Sequence, residues 1–330
     1  MVTLHTKVDR ICDENICRIK LKDRLFLQPN NLFCIFAHYV KVRTSPVYCF
    51  PIATVLSFLL ISKEHIFNDT YVACGIGIAS YFLGLATYVY NDLTDIDLDR
   101  INRKEQSIIT QNLSRPRLIL LITFLFGISA SISFMVGLYA FIITLIFIGL
   151  GVVYSHPRIN LKSKFPLKTI VTATGAGLLS LLGGAAEMGV GSNNVPFGGL
   201  GTYMPVSTIY LAFCFSIFYF IQSPMGDIAD INGDRATGRR TFPLVIGMKG
   251  TTAIMLAVPF IMLAISGLCY NIVHINIHGM IAIVGTCLLV TGFIGWISNH
   301  LHDPLLIKSK RNNVRYLNIL MQVSILLALL

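Results

Sequence analysis

The chain alternates between long apolar segments and shorter polar ones. Mostly apolar windows of about 16 to 24 residues recur along it, close to the length that an α-helix needs to cross a bilayer. They lie at about 46–62, 70–91, 116–134, 137–155, 169–190, 204–225, 251–272, 277–298 and 315–330. The pattern predicts an all-α, multi-pass membrane protein whose residues 46–330 form about nine transmembrane helices around a central cavity.

The composition agrees with this class. Hydrophobic residues make up 54% of the chain and charged residues 13%, about half of the charged share in an average soluble domain. The mean hydropathy is +0.70. The eight cysteines are scattered without a C-x-x-C pair, which argues against a disulfide framework and against a zinc site.

The first 45 residues are polar and mixed in charge, so they are predicted to form a cytoplasmic segment. From about Asn30 the apolar residues Leu32, Phe33, Phe36 and Tyr39-Val40 predict a helix that lies along the membrane surface. A lid over an active site is the alternative interpretation of this helix.

Basic residues follow every second apolar window. Of the 26 Lys and Arg residues, all but Lys63 precede the first window or follow windows two, four, six and eight. This is the positive-inside pattern, which predicts an integral protein of the cell membrane with its N-terminus and its active site on the cytoplasmic side and its C-terminus outside. It also accounts for the net charge of +10 without a nucleic-acid partner.

Two acidic motifs follow apolar windows and share one spacing. Tyr90-Asn-Asp-Leu-Thr-Asp-Ile-Asp-Leu-Asp99 and Gly226-Asp-Ile-Ala-Asp-Ile-Asn-Gly-Asp234 hold seven of the 16 acidic residues. On a helix, Asp92, Asp95 and Asp99 would fall within roughly a 60° arc. The same interval recurs in the second motif four windows later, which predicts two similar halves that face each other and bring both motifs to one cavity.

Carboxylates at the ends of membrane helices are costly to place there unless they bind something. Mg²⁺ prefers oxygen ligands and is commonly held by one or two carboxylates together with substrate phosphates. The sequence therefore predicts that both motifs hold Mg²⁺ ions that bridge a diphosphate. The predicted catalytic and metal-binding residues are Asp92, Asp95, Asp99, Asp227, Asp230 and Asp234. The basic candidates for contacting the diphosphate are Arg100, Arg103, Lys104, Arg158, Lys162, Arg239 and Arg240.

A diphosphate that leaves inside an apolar bundle indicates an allylic, lipid-like substrate. Its ionisation leaves a carbocation, which a dry cavity protects from water and aromatic faces stabilise. The aromatic candidates are Tyr81, Phe82, Tyr88, Phe215, Phe218 and Tyr219. Small residues in window five, Gly175-Ala-Gly177 and Gly183-Gly-Ala-Ala186, predict either close helix contact or a cavity wall.

The pattern Asn91-Asp-x-x-Asp-x-x-x-Asp99, together with Asp227-x-x-Asp-x-x-Gly-Asp234, resembles the paired aspartate motifs of the UbiA superfamily of intramembrane prenyltransferases. Tyr154-Ser-His-Pro-Arg-Ile-Asn-Leu-Lys162 and Arg235-x-x-x-Arg-Arg-Thr-Phe-Pro243 are similar to two further loops of that superfamily. The resemblance covers about residues 39–330.

The resemblance implies that Asn91 joins the six aspartates in holding Mg²⁺ and diphosphate, and that Lys162 contacts the diphosphate. The second motif looks most like the archaeal-type enzymes that alkylate geranylgeranylglyceryl phosphate. Many members carry basic residues where this chain has Gln106 and Met225-Gly226.

Three functions are compatible with these observations. The leading hypothesis is Mg²⁺-dependent prenyl transfer from a polyprenyl diphosphate, such as geranylgeranyl diphosphate, to a lipid-soluble acceptor within membrane lipid. An intramembrane terpene cyclase that needs no acceptor is the alternative enzyme. A transporter or cation channel would require charges deep in the helices, where this chain has almost none.

Overall fold

The computed structural model describes residues 32–62, 70–96, 114–190 and 204–330, and this part of the chain is helical without strands. The helices are α1 (Leu32–Val47), α2 (Cys49–Ile61), α3 (Thr70–Thr94), α4 (Arg115–Val136), α5 (Leu138–Ser155), α6 (Leu167–Val190), α7 (Val206–Ala229), α8 (Ile231–Ala236), α9 (Phe242–Val245), α10 (Gly247–Leu268), α11 (Ile277–Asn299), α12 (Pro304–Ser309) and α13 (Arg311–Leu329). A short 3₁₀ turn, Leu161–Ser163, lies between α5 and α6.

The predicted all-α membrane fold is confirmed, whereas the count of nine transmembrane helices is not. Each of the nine apolar windows falls on a helix, but among the described residues seven helices are long and apolar enough to cross a membrane. They are α3, α4, α5, α6, α7, α10 and α11. Helix α2 is apolar but has 13 residues, and α13 has 19 residues but carries too many polar side chains.

Helix α6 lies at the centre of the bundle, in contact with α2, α5 and α7. Its small residues allow this close packing. A methyl group at Gly183 would collide with the backbone of Thr54 in α2, and one at Gly177 would collide with Ser216 in α7. The sequence left close contact and a cavity wall as alternatives, and the helix does both, because Gly175 lines a cavity.

Helix α1 packs against the bundle through one face. Ile35 and Tyr39 are each 1% exposed, and Phe36 lies 6.3 Å from Phe82 of α3 between ring centroids. Phe33, predicted on the apolar side, is 71% exposed. The helix predicted near Asn30 therefore begins at Leu32, and its position at the membrane surface stays a prediction.

Two helices run further than their apolar windows and carry the acidic motifs into their last turns. Helix α3 continues through Asp92 to Thr94, and α7 continues through Asp227 to Ala229. The second motif is not carried by one continuous helix. Asp230 leaves helical geometry with φ −109° and ψ 14°, and Asp234 belongs to the separate helix α8. The aspartates of one motif therefore have different surroundings.

Candidate active site

Both acidic motifs meet at one cavity of about 300 Å³. Asn91 and Asp92 of the first motif and Asp227 and Asp230 of the second motif belong to its lining. The remaining wall comes mainly from α2, α5, α6, α7 and α13, and much of it is apolar, including Phe50, Phe147, Leu150, Val171 and Leu179. The cavity thus combines carboxylates from two distant parts of the sequence with a wall that suits a hydrocarbon chain.

Asp92 is held by an arginine from the N-terminal segment. The carboxylate is 1% exposed, and Arg43 of α1 donates to it from Nε at 3.0 Å and from Nη2. The same guanidinium lies over the ring of Tyr88, 5.3 Å from its centroid. Buried carboxylates need such a partner, because an isolated charge in a low-dielectric interior is strongly destabilising. Helix α1 is therefore part of the site.

Asp95 lies just beyond the end of α3 and joins the first motif to two later loops. Lys162 lies 2.8 Å from its Oδ1, and Arg239 forms a second ion pair with the same oxygen. Burial alone would raise the pKa of the Asp95 carboxyl, but the charges of Lys162 and Arg239 hold it below its ordinary value. Asp95 is consequently ionised at neutral pH.

Lys162 and Arg239 also organise the polar groups beside Asp95. Lys162 Nζ donates to Asn91 Oδ1 at 3.1 Å and to Thr94 Oγ1 at 2.6 Å. The backbone N–H of Arg239 donates to the carbonyl oxygen of Asp234 at 2.9 Å. Since the Arg239 side chain reaches Asp95, this residue connects the two motifs directly.

The aspartates of the second motif have cations of their own. Asp227 is 1% exposed and forms an ion pair with Lys168 in the first turn of α6. Asp230 accepts from Arg311 Nη2 at 2.9 Å, with Lys308 Nζ 4.0 Å away. Asp234 is also buried, at 1% exposure. The second motif is therefore surrounded by positive charge from α6, α12 and α13.

Several predicted residues lie elsewhere. Arg158 is exposed in the turn after α5 and does not line the cavity. Its backbone N–H donates a hydrogen bond to His156 Nδ1 at 3.3 Å. The turn directs it outward, so this structure does not bring Arg158 to the site, and Arg240 is exposed as well. Outside the described residues lie Asp99, Arg100, Arg103 and Lys104.

The aromatic candidates divide into two groups. Tyr88 and Tyr219 line the cavity, together with Tyr154 of α5. Phe215 and Phe218 are fully buried in the apolar core of the bundle, and Tyr81 packs against Phe82, 6.0 Å apart between centroids. Tyrosines of α3, α5 and α7, rather than the phenylalanines of α7, therefore line the cavity.

Sequence reasoning missed four cations of the cavity lining: Arg43, Lys168, Arg311 and Arg315. All four had been assigned to the positive-inside pattern. A signal was present at Gly226, where many members of the resembled superfamily carry a basic residue. A side chain built there would start 3.6 Å from Arg311 Nη2, so α13 supplies a cation at the place where the second motif lacks one.

The residues fit a hard cation, although they do not form a complete cage by themselves. Among the described residues, no three His, Cys, Asp or Glu side chains converge closely enough to hold a metal ion. Asp227 nevertheless keeps one buried carboxylate oxygen, Oδ2, that accepts no hydrogen bond within this part of the chain. An oxygen-only donor set that leaves room for phosphate oxygens is typical of Mg²⁺ sites.

Comparison with known families gives one match that covers most of the chain. The sequence model of the UbiA prenyltransferase family matches residues 50–318, which include both acidic motifs and the cavity lining from Phe50 to Arg315.

Curated relatives are digeranylgeranylglyceryl phosphate synthases of archaea. The protein of Sulfurisphaera tokodaii is 25% identical over 248 residues, covering 72% of this chain and 81% of that protein. The protein of Thermococcus sibiricus is 26% identical over 166 residues, covering 50% of this chain and 53% of that protein. The chain thus spans about half the length of some of the relatives that it matches.

Solved structures share the fold. A digeranylgeranylglyceryl phosphate synthase superposes with a TM-score of 0.65 at 18% identity, covering 89% of this chain and 98% of that chain. A UbiA homologue of Archaeoglobus fulgidus bound to GPP and Mg²⁺ superposes with a TM-score of 0.59 at 17% identity, covering 87% of this chain and 99% of that chain. A UbiA homologue of Aeropyrum pernix gives 0.62 at 17% identity, covering 86% and 96%.

Proposed function

Because the chain belongs to the UbiA prenyltransferase family, we propose that it transfers a prenyl group from a polyprenyl diphosphate to a lipid-soluble acceptor in a Mg²⁺-dependent reaction. The observation that carries this proposal is the cavity into which Asp92 of one motif and Asp227 of the other both open. One end of that cavity suits an anionic, metal-bound group, and its apolar wall suits a prenyl chain.

The cations of the site bind and neutralise the diphosphate. Lys162, Arg239 and Lys168 already lie against the motif carboxylates, so a diphosphate that approaches these carboxylates meets preorganised positive charge. Asp92, Asp227 and Asp230 would hold Mg²⁺, which when bound would further stabilise the charge of the leaving diphosphate. Asn91 is kept in place by Lys162.

The apolar wall protects the reactive prenyl group. Allylic ionisation breaks the C–O bond, the electron pair leaves with the diphosphate, and the carbon becomes cationic. Phe147 and Leu150 exclude water from the cavity, while Tyr88, Tyr154 and Tyr219 present polarisable faces to the cation. The nucleophilic oxygen of the acceptor then forms the new C–O bond and gives its proton to the released diphosphate.

The acceptor that we propose is a glycerol lipid with a phosphate head group, and the donor is geranylgeranyl diphosphate. The names of the curated relatives support both choices. The similarity of the second motif to archaeal-type sequences supports the same acceptor.

Turnover of the purified protein in nanodiscs tests the proposal. Geranylgeranyl diphosphate and Mg²⁺ are supplied with geranylgeranylglyceryl phosphate, with a hydroxybenzoate, or without an acceptor. We expect diphosphate release that consumes the glyceryl phosphate lipid. This release should be lost with EDTA and in the variants Asp92→Asn and Asp227→Asn. Glu187→Gln is the matched control, since Glu187 lies on α6 roughly 28 Å from Lys168.

Two results would overturn the proposed reaction. Acceptor-independent release with a cyclic product would identify a terpene cyclase instead. Absence of metal-dependent turnover with any donor chain length or acceptor would reject both enzymes.

A further inference from the structure

Two phenylalanine rings lie side by side in the apolar wall of the cavity. Phe50 of α2 and Phe147 of α5 both belong to the lining, and their ring centroids are 6.0 Å apart with an interplanar angle of 72°. Phe50 also meets the ring of Tyr88 of α3, 6.0 Å away between centroids. The aromatic pair, Phe50 and Phe147, is 8% and 6% exposed, so neighbouring helices enclose both rings on most sides.

Glycines of α3 and α6 make room for the aromatic pair. A methyl group at Gly84 would lie 2.8 Å from the ring of Phe50, too close for two carbon atoms. A methyl group at Gly175 would lie 3.5 Å from the ring of Phe147, in ordinary van der Waals contact. Phe50 is therefore packed tightly onto α3, and Phe147 lies against the backbone of α6 with space for one added carbon.

These two glycines also indicate how far the aromatic pair lies from the acidic motifs. Gly84 precedes Asp92 by eight positions on α3, a rise of about 12 Å. Gly175 follows Lys168, the partner of Asp227, by seven positions on α6, a rise of about 10 Å. Two different helices thus place the rings at a similar depth below the carboxylates.

The bundle closes just beyond the aromatic pair. In the part of the chain that the structure describes, the lining along α6 runs from Lys168 to Leu179, about 16 Å. At the next residue, Ser180 Oγ donates to Ser57 Oγ of α2 at 3.1 Å, and both side chains are fully buried. At Gly183 a methyl group would collide with the backbone of α2. The aromatic pair therefore lies near the closed, apolar end of the cavity.

The depth of the rings can be compared with the length of a prenyl chain. Each isoprene unit adds four C–C bonds of about 1.5 Å to the chain and extends it by roughly 5 Å. A geranyl chain of two units therefore ends at about the level of the aromatic pair. A geranylgeranyl chain of four units, roughly 20 Å when extended, is longer than the cavity is deep. Its last units must fold against the rings.

We propose that Phe50 and Phe147 limit the length of the prenyl donor by closing the apolar end of the cavity. This inference rests on the proposed function. Tightly packed interiors do not admit an additional group without strain, so a chain that is one unit longer than the space allows is bound and used poorly. With geranylgeranyl diphosphate as the proposed donor, the limit falls between four and five isoprene units.

Donor kinetics in nanodiscs test the limit through Phe147→Ala. The kcat/KM values of geranyl, geranylgeranyl and geranylfarnesyl diphosphate, with two, four and five units, are measured with Mg²⁺ and geranylgeranylglyceryl phosphate. The ratio of the five-unit donor to geranyl diphosphate should rise at least about tenfold in the variant, the effect of a small size change in a hydrophobic pocket. A loss of activity that is common to all donors cancels in this ratio.

Two further variants separate the length limit from general damage. Gly175→Val fills the space beside Phe147, so the ratio of geranylgeranyl to geranyl diphosphate should fall at least about tenfold. Phe141→Ala is the matched control on α5, because Phe141 packs against Phe134, 5.4 Å away, and is not part of the lining. Its donor ratios should equal those of wild type.

The donor ratios also decide against the limit. Wild-type turnover that is equally efficient with four and five units would overturn it while prenyl transfer stands. Unchanged ratios in Phe147→Ala or in Gly175→Val, whichever variant retains a cooperative thermal unfolding transition, would overturn it as well.

Equilibrium binding without an acceptor keeps the two proposals distinguishable. Non-hydrolysable prenyl thiodiphosphates with two, four and five units are bound to wild type and to Phe147→Ala in nanodiscs with Mg²⁺. Binding that drops at five units in wild type and recovers in the variant, without turnover of any acceptor, would support the length limit and reject the proposed reaction. Equal binding of all three chain lengths by wild type would reject the limit.

Discussion

At the residue scale, the site is built from buried or largely buried carboxylates that each lie against a cation. Arg43 pairs with Asp92, and Lys162 and Arg239 both pair with Asp95. Lys168 pairs with Asp227, and Arg311 pairs with Asp230. Removing one partner from a buried ion pair is typically far more destabilising than never having the pair, because the other charge remains. The pairs therefore hold the carboxylates in place before substrate arrives.

The Lys168–Asp227 pair gives a direct test of this arrangement. Lys168→Gln and Asp227→Asn should each lower the free energy of unfolding, and the double variant should lose less than the sum of the two, with a coupling of about 0.5 to 3 kcal/mol. Thermal unfolding in detergent measures it. Lys164→Gln, at an exposed position just before α6, is the control, and strict additivity of the two substitutions would contradict the pair.

Asp95 predicts a pH dependence of stability. Because the pKa of its carboxyl is lowered in the folded protein, its contribution is complete above the unfolded pKa of about 3.9 and is lost as the pH falls through the folded pKa. The stability difference between wild type and Asp95→Asn should therefore be constant from pH 5 to 7 and shrink below about pH 4. A difference that grows on acidification would contradict this assignment.

The aspartates were predictable from sequence and their partners were not. Three acidic residues at a repeated interval after apolar windows single out the motifs. Arg43 and Asp92 are 49 positions apart, and Arg311 and Asp230 are 81 apart. Basic residues in cytoplasmic loops also serve topology, so the sequence contains no local signal that assigns one of them to a particular carboxylate.

At the element scale, α6 sets the spacing of the bundle. Its glycines bring it against α2 and α7, and Lys168 in its first turn reaches Asp227. An extra methyl group on one of these glycines would push α6 away from its neighbours. The first turn of α6 would then shift relative to the second motif. Packing at the centre of the bundle and geometry at the site are therefore linked through one helix.

Gly183→Ala tests that link. The added methyl group would meet the backbone of Thr54, so α2 or α6 must move, and we expect a lower melting temperature together with reduced turnover. Gly127→Ala in α4 is the matched control, because nothing lies within 4 Å of the added carbon and alanine favours a helix. Equal behaviour of the two variants would show that the α2–α6 contact does not determine the site.

Helix positions followed from hydropathy, but helix ends and the character of α13 did not. The apolar windows stop where side chains become polar, whereas α3 and α7 continue for several residues because their last turns hold the motif aspartates. Helix α13 begins at Arg311, before the predicted start at 315, because its first turn is polar and an apolar window does not include it.

At the scale of the whole molecule, the two motifs converge because the helices that carry them belong to one bundle around one cavity. The repeated spacing predicted this meeting of two parts of the sequence, and α3 and α7 bring Asp92 and Asp227 to the same lining. The motif geometry of the second half was not predictable, since the chain bends at Asp230. The meeting of the two motifs depends on the arrangement of the helices, whereas the positions of the aspartates within the second motif depend on the turn at Asp230.

The predicted orientation requires all motif loops to lie on the cytoplasmic side. In a cysteine-free background, Arg235→Cys at the exposed end of α8, directly after the second motif, should react with a membrane-impermeant maleimide only after cells are permeabilised. Met135→Cys, in the last turn of α4 and 81% exposed, should react in intact cells. Arg235→Cys labelling in intact cells, with Met135→Cys protected, would invert the proposed topology.

The central claim is that the two motifs form a single site for a prenyl diphosphate. Equilibrium binding of a non-hydrolysable prenyl thiodiphosphate to the protein in nanodiscs, with and without Mg²⁺, tests it most directly. We predict that Asp92→Asn and Asp227→Asn each weaken Mg²⁺-dependent binding at least about tenfold, a loss of about 1.4 kcal/mol, while Glu187→Gln binds like wild type. Binding that depends on only one of the two motifs, or on neither, would contradict the single site.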